Sequence, residues 1–393
     1  MKIAVVVHGR FHAFDLVREL IGLGNEVLLL TNYPRRWPEK FGVPERNVRS
    51  LVAHGIVSRA ALALGKAFGT EKLGEAFMHR WFGSWAAQVI ARDPVDASHC
   101  FTGVALETLL SKRRSQKVCS IVRGSSHICV QRRILEEEER RAGRRIDKPS
   151  NWMVMRELQE YWASDLIICL SQFALESFVG EGVPKERLLL NPLGVQQKLF
   201  AAPERVLQER RQRILKGKLR VLTTGNFSLQ KGALDYLAVA EKMKGRIEFV
   251  HRGSISPDAK YLQKRLNKVV YFLPKVEQRK LPEDYFQSDL FLFPTLQDGY
   301  AAVLAQASAA GLPILATTNC GARDFLTEGK DAWIFQIRRP DLIIQRLEWC
   351  DQNRDKLAKV ADQAGKPKPG IEWRERAKKL VEAYDEFIRK VKK

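Results

Sequence analysis

The sequence has no run of about 18 uninterrupted apolar residues, the least a helix needs to cross a bilayer, so no segment reads as membrane-spanning. It opens MKIAVVVHGR, without the basic region and cleavable apolar stretch of an export signal, and reads there as a buried first strand. The expected place is cytoplasmic, with the cytosolic face of a membrane as a second possibility. Cysteine is sparse: Cys100, Cys119, Cys129, Cys169, Cys320 and Cys350 are scattered, with no C-x-x-C pair. That spacing argues against structural zinc and a disulfide framework, and for free reduced thiols. The dinucleotide fingerprint G-x-G-x-x-G is missing, which counts against a nicotinamide enzyme. His8 and His12 lie four apart, but no H-E-x-x-H and no third ligand accompany them, so no metal is expected. Internal repeats and low-complexity tracts are absent too.

Acidic residues are few beside basic ones. Asp+Glu 45 against Lys+Arg 66 leaves a formal charge of +21 and a pI near 9.8, a balance that implies an anionic partner. No zinc-finger or RRM signature is present, so nucleic acid is not the expected one. From Arg59 to Arg80, the basic residues Arg59, Lys66, Lys72 and Arg80 mix with Phe68 and Phe77, and Trp81 and Trp85 follow. Such a mixture suits a helix resting on anionic lipid. The plainer alternative is an amphipathic helix packed into its own domain. Peripheral contact with an anionic membrane is a secondary expectation for the chain as a whole.

What is present fits two domains. The chain has 393 residues, 45% of them hydrophobic, enough for two cores. Strand-like runs at 2–7, 26–31, 97–101, 118–123, 166–171 and 188–190 alternate with helical patterns at 14–23, 83–91, 105–113 and 152–163. A charged helix-like run at 203–218 reads as the linker or the entry to the next domain. The alternation then restarts, with strands at 219–224, 247–251, 269–272, 290–293 and 312–317. Helices are expected to begin near Gly232, Asp258, Pro282 and Tyr300. The tail 373–391 puts Ala377, Leu380, Val381, Tyr384, Phe387 and Ile388 on one helical face. Alternating strands and helices argue for parallel sheets covered by helices. The expected architecture is α/β: a Rossmann-like, doubly wound domain at 1–200, a second at 201–370, and a C-terminal helix at 371–393 that crosses back to the first. Ligands would bind in the cleft between the domains, at the carboxyl ends of the strands.

The most informative stretch is 285–325, YFQSDLFLFPTLQDGYAAVLAQASAAGLPILATTNCGARDF. It reads strand, loop, helix opening at Gly299 and Tyr300, then strand. First-turn amides and the positive end of a helix dipole make a seat for phosphate. Asp298 stands at the cap position. Gln306, eight residues on from Asp298 and seven from Gly299, returns to nearly the same face about 10 Å further along. A diphosphate at the helix mouth would thus have a polar side chain near each end, which suits a nucleotide sugar. Taken singly, Asp298 is most often only an N-cap and Gln306 only a helical glutamine; their spacing around Gly299 shifts the balance.

This arrangement resembles the E-x7-E motif of the retaining GT-B glycosyltransferases of family GT4. The resemblance implies that Asp298 holds hydroxyls of the donor sugar and Gln306 the nucleotide ribose, with Asp and Gln standing where Glu is usual. It is dense from 156 to 324 and thin before 118. GNFSLQKG at 225–232 resembles the family's G-R-x4-K-G loop, whose basic residues neutralise the departing diphosphate. Lys231 and Gly232 match, Asn226 replaces the arginine, and Arg252 is a candidate to supply the missing charge. VVYFLPKVEQRKL at 269–281 matches the stretch that cradles the base, around Val276, through main-chain groups that leave the base unspecified. UDP is the expected nucleotide.

In the first half, Gly9 is expected to let the backbone approach the ligand and Arg10 to lie near the leaving phosphates or the acceptor. A plain strand-to-helix turn is the alternative. In IVRGSSH at 121–127, His127 matches a family histidine that faces the donor sugar, with a structural histidine as the alternative. Asp165, Ser171 and Gly194 read as architectural. The resemblance implies a metal-independent transfer of a hexose from a nucleotide-diphosphate sugar to a hydroxyl on a glycan or lipid-linked sugar, in polysaccharide or glycolipid assembly. No D-x-D motif is present. The catalytic candidates are Lys231, His127 and Asp298, with the amides of Gly299, Tyr300 and Ala301 as donors to the diphosphate. The competing readings are a nucleotide-sugar epimerase on the same fold and a non-catalytic basic protein that binds lipid or nucleic acid.

Overall fold

Short apolar runs, rich in Val, Ile, Leu and Phe and too brief for helices, become the strands of two parallel sheets. The structure, a computed structural model, describes residues 1–68, 74–111, 117–366 and 372–391. Lys72 lies outside them, and so do the side chains of Lys66 and Phe68. The first sheet holds β1 (Lys2–Val7), β2 (Glu26–Thr31), β3 (Val48–Ser50), β4 (Ala97–Phe101), β5 (Val118–Arg123), β6 (Leu166–Cys169) and β7 (Leu188–Leu190), in the order β3-β2-β1-β4-β5-β6-β7. The second holds β8 (Arg220–Thr224), β9 (Glu248–Arg252), β10 (Val270–Leu273), β11 (Leu290–Phe293), β12 (Ile314–Thr317) and β13 (Ala332–Phe335), in the order β10-β9-β8-β11-β12-β13. Every pairing is parallel: Val5 sits beside Leu29, and Phe291 beside Ile314.

Both sheets are covered on both faces. Along β1, Ile3, Val5 and Val7 enter one apolar layer while Ala4 and Val6 enter the other, as period-two alternation in a buried strand requires. Full burial of each valine or isoleucine is worth about 1.5–3 kcal/mol, which fixes the register against slips. The edge strands β3 and β13 were not legible in the sequence. Each is short and has one neighbour, so its pattern is weak.

The run at 203–218 forms the helix Glu204–Lys216, packed into the second domain rather than loosely linking it. Arg210 is buried and donates to the carbonyls of Tyr285, Ser288, Ala310 and Gly311. It thereby satisfies carbonyls at the ends of two helices. The C-terminal helix Trp373–Val391 returns to the first sheet. Its face of Ala377, Leu380 and Tyr384 is buried against the helix Ala13–Gly22. Tyr384 Oη also pairs with His99 Nδ1 and Ser120 Oγ inside that sheet.

In each sheet the strand order reverses once, between β1 and β4 and between β8 and β11. A crevice opens at the carboxyl ends of such strands, where neighbouring connections leave in opposite directions. The two crevices face each other across one cavity of about 930 Å³.

Candidate active site

The loops after β8 and β11 meet at the second crevice because one residue between them has no side chain. Gly232 has φ +77°, and a Cβ there would lie 1.8 Å from the carbonyl oxygen of Pro294. The contact is held by Leu296 N donating to Gln230 O at 3.0 Å. Lys231, one residue earlier, is thereby aimed across the crevice, where its Nζ donates to Asp298 Oδ2 at 2.5 Å. Both side chains are about three-quarters covered and both line the cavity. Charge-assisted bonds of this kind are roughly twice as strong as neutral ones.

Asp298 does more than cap. Its Oδ1 accepts from the amides of Tyr300 (3.1 Å) and Ala301 (2.9 Å). The helix does not open at Gly299, as the pattern suggests, but at Ala302, and spans Ala302–Ala309. Ala301 precedes it with φ +64°, a left-handed conformation that costs a non-glycine residue roughly 1–3 kcal/mol. The amides of Tyr300 and Ala301 are therefore taken by Asp298 and not free for a ligand, contrary to the expectation. Ala302 and Val303 open the helix and line the cavity, and their amides have no acceptor among the described residues. Gly299 serves the contact between the domains, since a Cβ on it would lie 2.3 Å from the carbonyl oxygen of Gly124 in the first one. The two cleft walls touch there. Tyr300 lines the cavity with its ring buried.

The structure moves several other expected residues away from the cavity. Gln306 is buried and accepts from Tyr285 Oη at 3.0 Å, and Tyr285 in turn pairs with Thr224. It belongs to a chain of bonds under the crevice. Arg252 does not line the cavity; its guanidinium forks onto Asp284 with two bonds of 2.7 Å, so it does not replace the charge absent at Asn226. Asn226 itself lines the cavity and pairs with Ser254 and Ser256. Val276 is not among the lining residues. Gly9 has φ +123° and turns the chain, while Arg10 swings away, its guanidinium 3.7 Å from the centre of the Phe41 ring.

His127 is likewise displaced. It caps the helix Ile128–Ala142, its Nδ1 accepting from Cys129 N, and its ring packs on Tyr161 and Phe178. Burial pushes its pKa down to about 4. With Cys129 and Glu181 it forms a group whose ligand atoms lie within 4.8 Å of one another. That group lies outside the cavity lining, and Arg133 already holds Glu181 at 2.5 Å.

Comparison with known proteins agrees with this geometry. Residues 218–353 match the family model "Glycosyl transferases group 1". That stretch of the second domain is thus similar to group 1 glycosyltransferases, and the whole chain has the GT-B fold. Solved structures similar to it include sucrose-phosphate synthase from Thermosynechococcus elongatus, with TM-score 0.70, 15% identity and 98% of each chain covered. Anabaena HepE in complex with UDP gives TM-score 0.69 at 14% identity, covering 98% of this chain and 100% of that one. Identities this low speak to the fold alone. Among curated relatives, an uncharacterized protein of the Klebsiella pneumoniae cps region is 22% identical over 47% of this chain and 51% of its own length. The sulfoquinovosyl transferase of Arabidopsis thaliana is 24% identical over 58% and 46%. A D-inositol 3-phosphate glycosyltransferase of Rhodococcus erythropolis is 28% identical over 29% and 26%. The chain spans about half the length, or less, of these curated relatives.

The wall contributed by the first domain carries residues to which sequence reasoning assigned no binding role. Arg123 ends β5, lines the cavity and pairs with Glu157 at 2.7 Å. It occupies the strand-end position from which His127 had been expected to act. His8 and His79 also line the cavity, with ring centroids 5.0 Å apart. Burial, assisted by His79 and His54, pushes the His8 pKa down to about 3. The signal for these residues was weak, since each is a single polar residue at a strand end or on a helix and belongs to no motif. Beyond the cavity the walls are clasped by ion pairs. Arg141 reaches Asp235 at 2.5 Å, and Arg338 reaches Glu138 at 3.1 Å. Gln172 N donates to Asp324 Oδ1 at 2.8 Å.

Proposed function

We propose that the protein is a retaining, GT4-like hexosyltransferase that takes its sugar from a UDP-hexose and gives it to a hydroxyl on a glycan or lipid-linked sugar. The observation that carries this reading is the meeting of Lys231 and Asp298 at the second crevice, beside the open amides of Ala302 and Val303. A diphosphate seated there exchanges its charge for that of Asp298 against Lys231. Asp298 is then free to accept from hydroxyls of the donor sugar. As the C1–O bond to the β-phosphate breaks, its electron pair leaves with UDP, and the developing charge is met by Lys231 and the two amides. The acceptor oxygen bonds C1 on the same face, and its proton passes to the departing phosphate. No metal is expected in these steps. HepE, which shares the fold, has been solved with UDP and with UDP-glucose, and the choice of donor follows that precedent.

UDP is expected to raise the melting temperature of the whole chain by several degrees at about a hundred times its dissociation constant, equivalent to about 2.7 kcal/mol. GDP and ADP are expected to do less. A thermal-shift series checks this, followed by NMR assignment of the product anomer. No shift with any of the three nucleotides, or a product of inverted configuration, counts decisively against the reading.

The same proposal includes contact with an anionic membrane through the outer helices of the first domain. Ile56, Leu64 and Phe77 are exposed on the helices Val52–Phe68 and Glu75–Arg92, with the exposed Arg59 and Arg80 beside them. Among the described residues no helix is long and apolar enough to cross a membrane, so the contact would be superficial. Vesicles containing phosphatidylserine should sediment the protein, and Ile56→Ser with Phe77→Ser should release it. Equal sedimentation with neutral vesicles would remove the idea.

A further inference from the structure

The first crevice carries an aromatic feature that packing does not explain. Residues 8–12, His-Gly-Arg-Phe-His, leave β1 toward the cavity. Gly9 turns the chain at φ +123°, Arg10 is anchored outward on Phe41, and Phe11 follows at φ +41°. A bulky residue in that conformation is strained, and such strain gathers at ligand sites. The strain gains Phe11 no burial: the residue is 67% exposed. Its ring lies 5.7 Å from that of Phe101, with 25° between the planes, and both line the cavity. The rest of this wall offers no open charge for an anion. Among the described residues lining it, Arg123 is the only full cation, and it is held by Glu157. Burial keeps His8 and His12 neutral, with pKa values of about 3. The other carboxylate lining this wall, Asp147, offers an anion nothing.

Resting on the transferase reading of the cavity, we infer that Phe11, backed by Phe101, is the platform on which the acceptor lies, and that the acceptor end is an uncharged pyranose ring rather than a phosphorylated one. The C–H face of a pyranose is apolar enough to cover an aromatic ring, while its rim of hydroxyls stays free for neighbouring polar groups. His8 and Thr102, both able to hydrogen bond with that rim, line the same wall. A phosphorylated sugar would bring a dianion to a wall whose cation is already paired, at the cost of its hydration.

Saturation-transfer NMR on the full chain tests this with methyl α-glucopyranoside, methyl α-galactopyranoside, methyl α-mannopyranoside and glucose 6-phosphate. At least one neutral glycoside is expected to bind, with saturation strongest on its ring C–H protons. Phe11→Ala should weaken that binding at least about tenfold, and Phe11→Trp should retain it. Glucose 6-phosphate should bind more weakly than the neutral glycosides. Undiminished binding by Phe11→Ala, tighter binding of the phosphate, or no binding of any neutral glycoside overturns the inference. The UDP thermal shift, read on the same samples, separates the two readings. An intact shift beside a failed glycoside result condemns the platform alone, whereas loss of the shift in the unmodified protein condemns the donor site.

Discussion

Lys231→Ala is expected to lower turnover at least roughly a hundredfold, since removing one donor that meets charge developing in a transition state typically costs that much. Lys231 is the sole ammonium lining the cavity among the described residues, and Arg252 is turned onto Asp284. Among the described residues lining the cavity the other full cation, Arg123, is held by Glu157, so on the proposed reading no second side chain would replace Lys231 beside a diphosphate. The effect should fall on kcat more than on KM, because leaving-group charge is greatest after the C1–O bond begins to break. The fold should survive, since Asp298 keeps its bonds to the amides of Tyr300 and Ala301. Lys231→Arg should recover only part of the activity, because a planar fork does not replace a point charge. Initial rates of UDP release with acceptor present check both variants. A Lys231→Ala enzyme within about threefold of the parent would take the residue out of the mechanism.

The second large effect is structural in origin. Gly232→Ala is expected to destabilise the second domain by about 2–4 kcal/mol, from backbone strain together with collision. The new methyl group would meet the Pro294 carbonyl at 1.8 Å, well inside any real contact distance. The loop after β8 must then retreat from the loop after β11, carrying Lys231 away from Asp298. Loss of the UDP thermal shift should accompany a fall in melting temperature of roughly 5–10 °C. Gly245→Ala is the matched control: Gly245 also has positive φ, +82°, but a methyl group there would meet nothing within 4 Å. It should cost about 1 kcal/mol of strain and leave UDP binding intact. Equal loss of UDP binding in the two variants would show that general destabilisation, not loop apposition, is responsible.

These two predictions also mark how far the sequence could be read. The strands at 2–7, 97–101, 118–123 and 290–293 were legible to the residue, because a parallel strand buried on both faces is a short, largely apolar run set between helical patterns. The C-terminal helix was equally clear from its amphipathic face, where Ala377, Leu380 and Tyr384 are buried. The loops bearing Lys231 and Asp298 could be located because each follows such a strand. Side-chain direction could not be read in the same way. His127, Arg10, Gln306 and Arg252 lie in the expected segments yet face away from the cavity, each drawn off by a local partner. Those partners are a helix amide, an aromatic ring, a tyrosine hydroxyl and a carboxylate.

Local order in the chain thus determined the alternation of strand and helix, the two parallel sheets and the basic charge, because periodicity, turn residues and composition are properties of neighbouring residues. Only the tertiary structure decided that Asp298 bridges Lys231 and two amides, that the helix opens at Ala302, and that Arg123, His8 and Phe11 form the opposite wall. Those outcomes depend on which groups are brought within bonding distance by contacts between residues far apart in sequence. Gly232 against Pro294 and Gly299 against Gly124 are two such contacts. A glycine in a sequence shows that close approach is allowed, and the folded chain alone supplies the backbone that approaches.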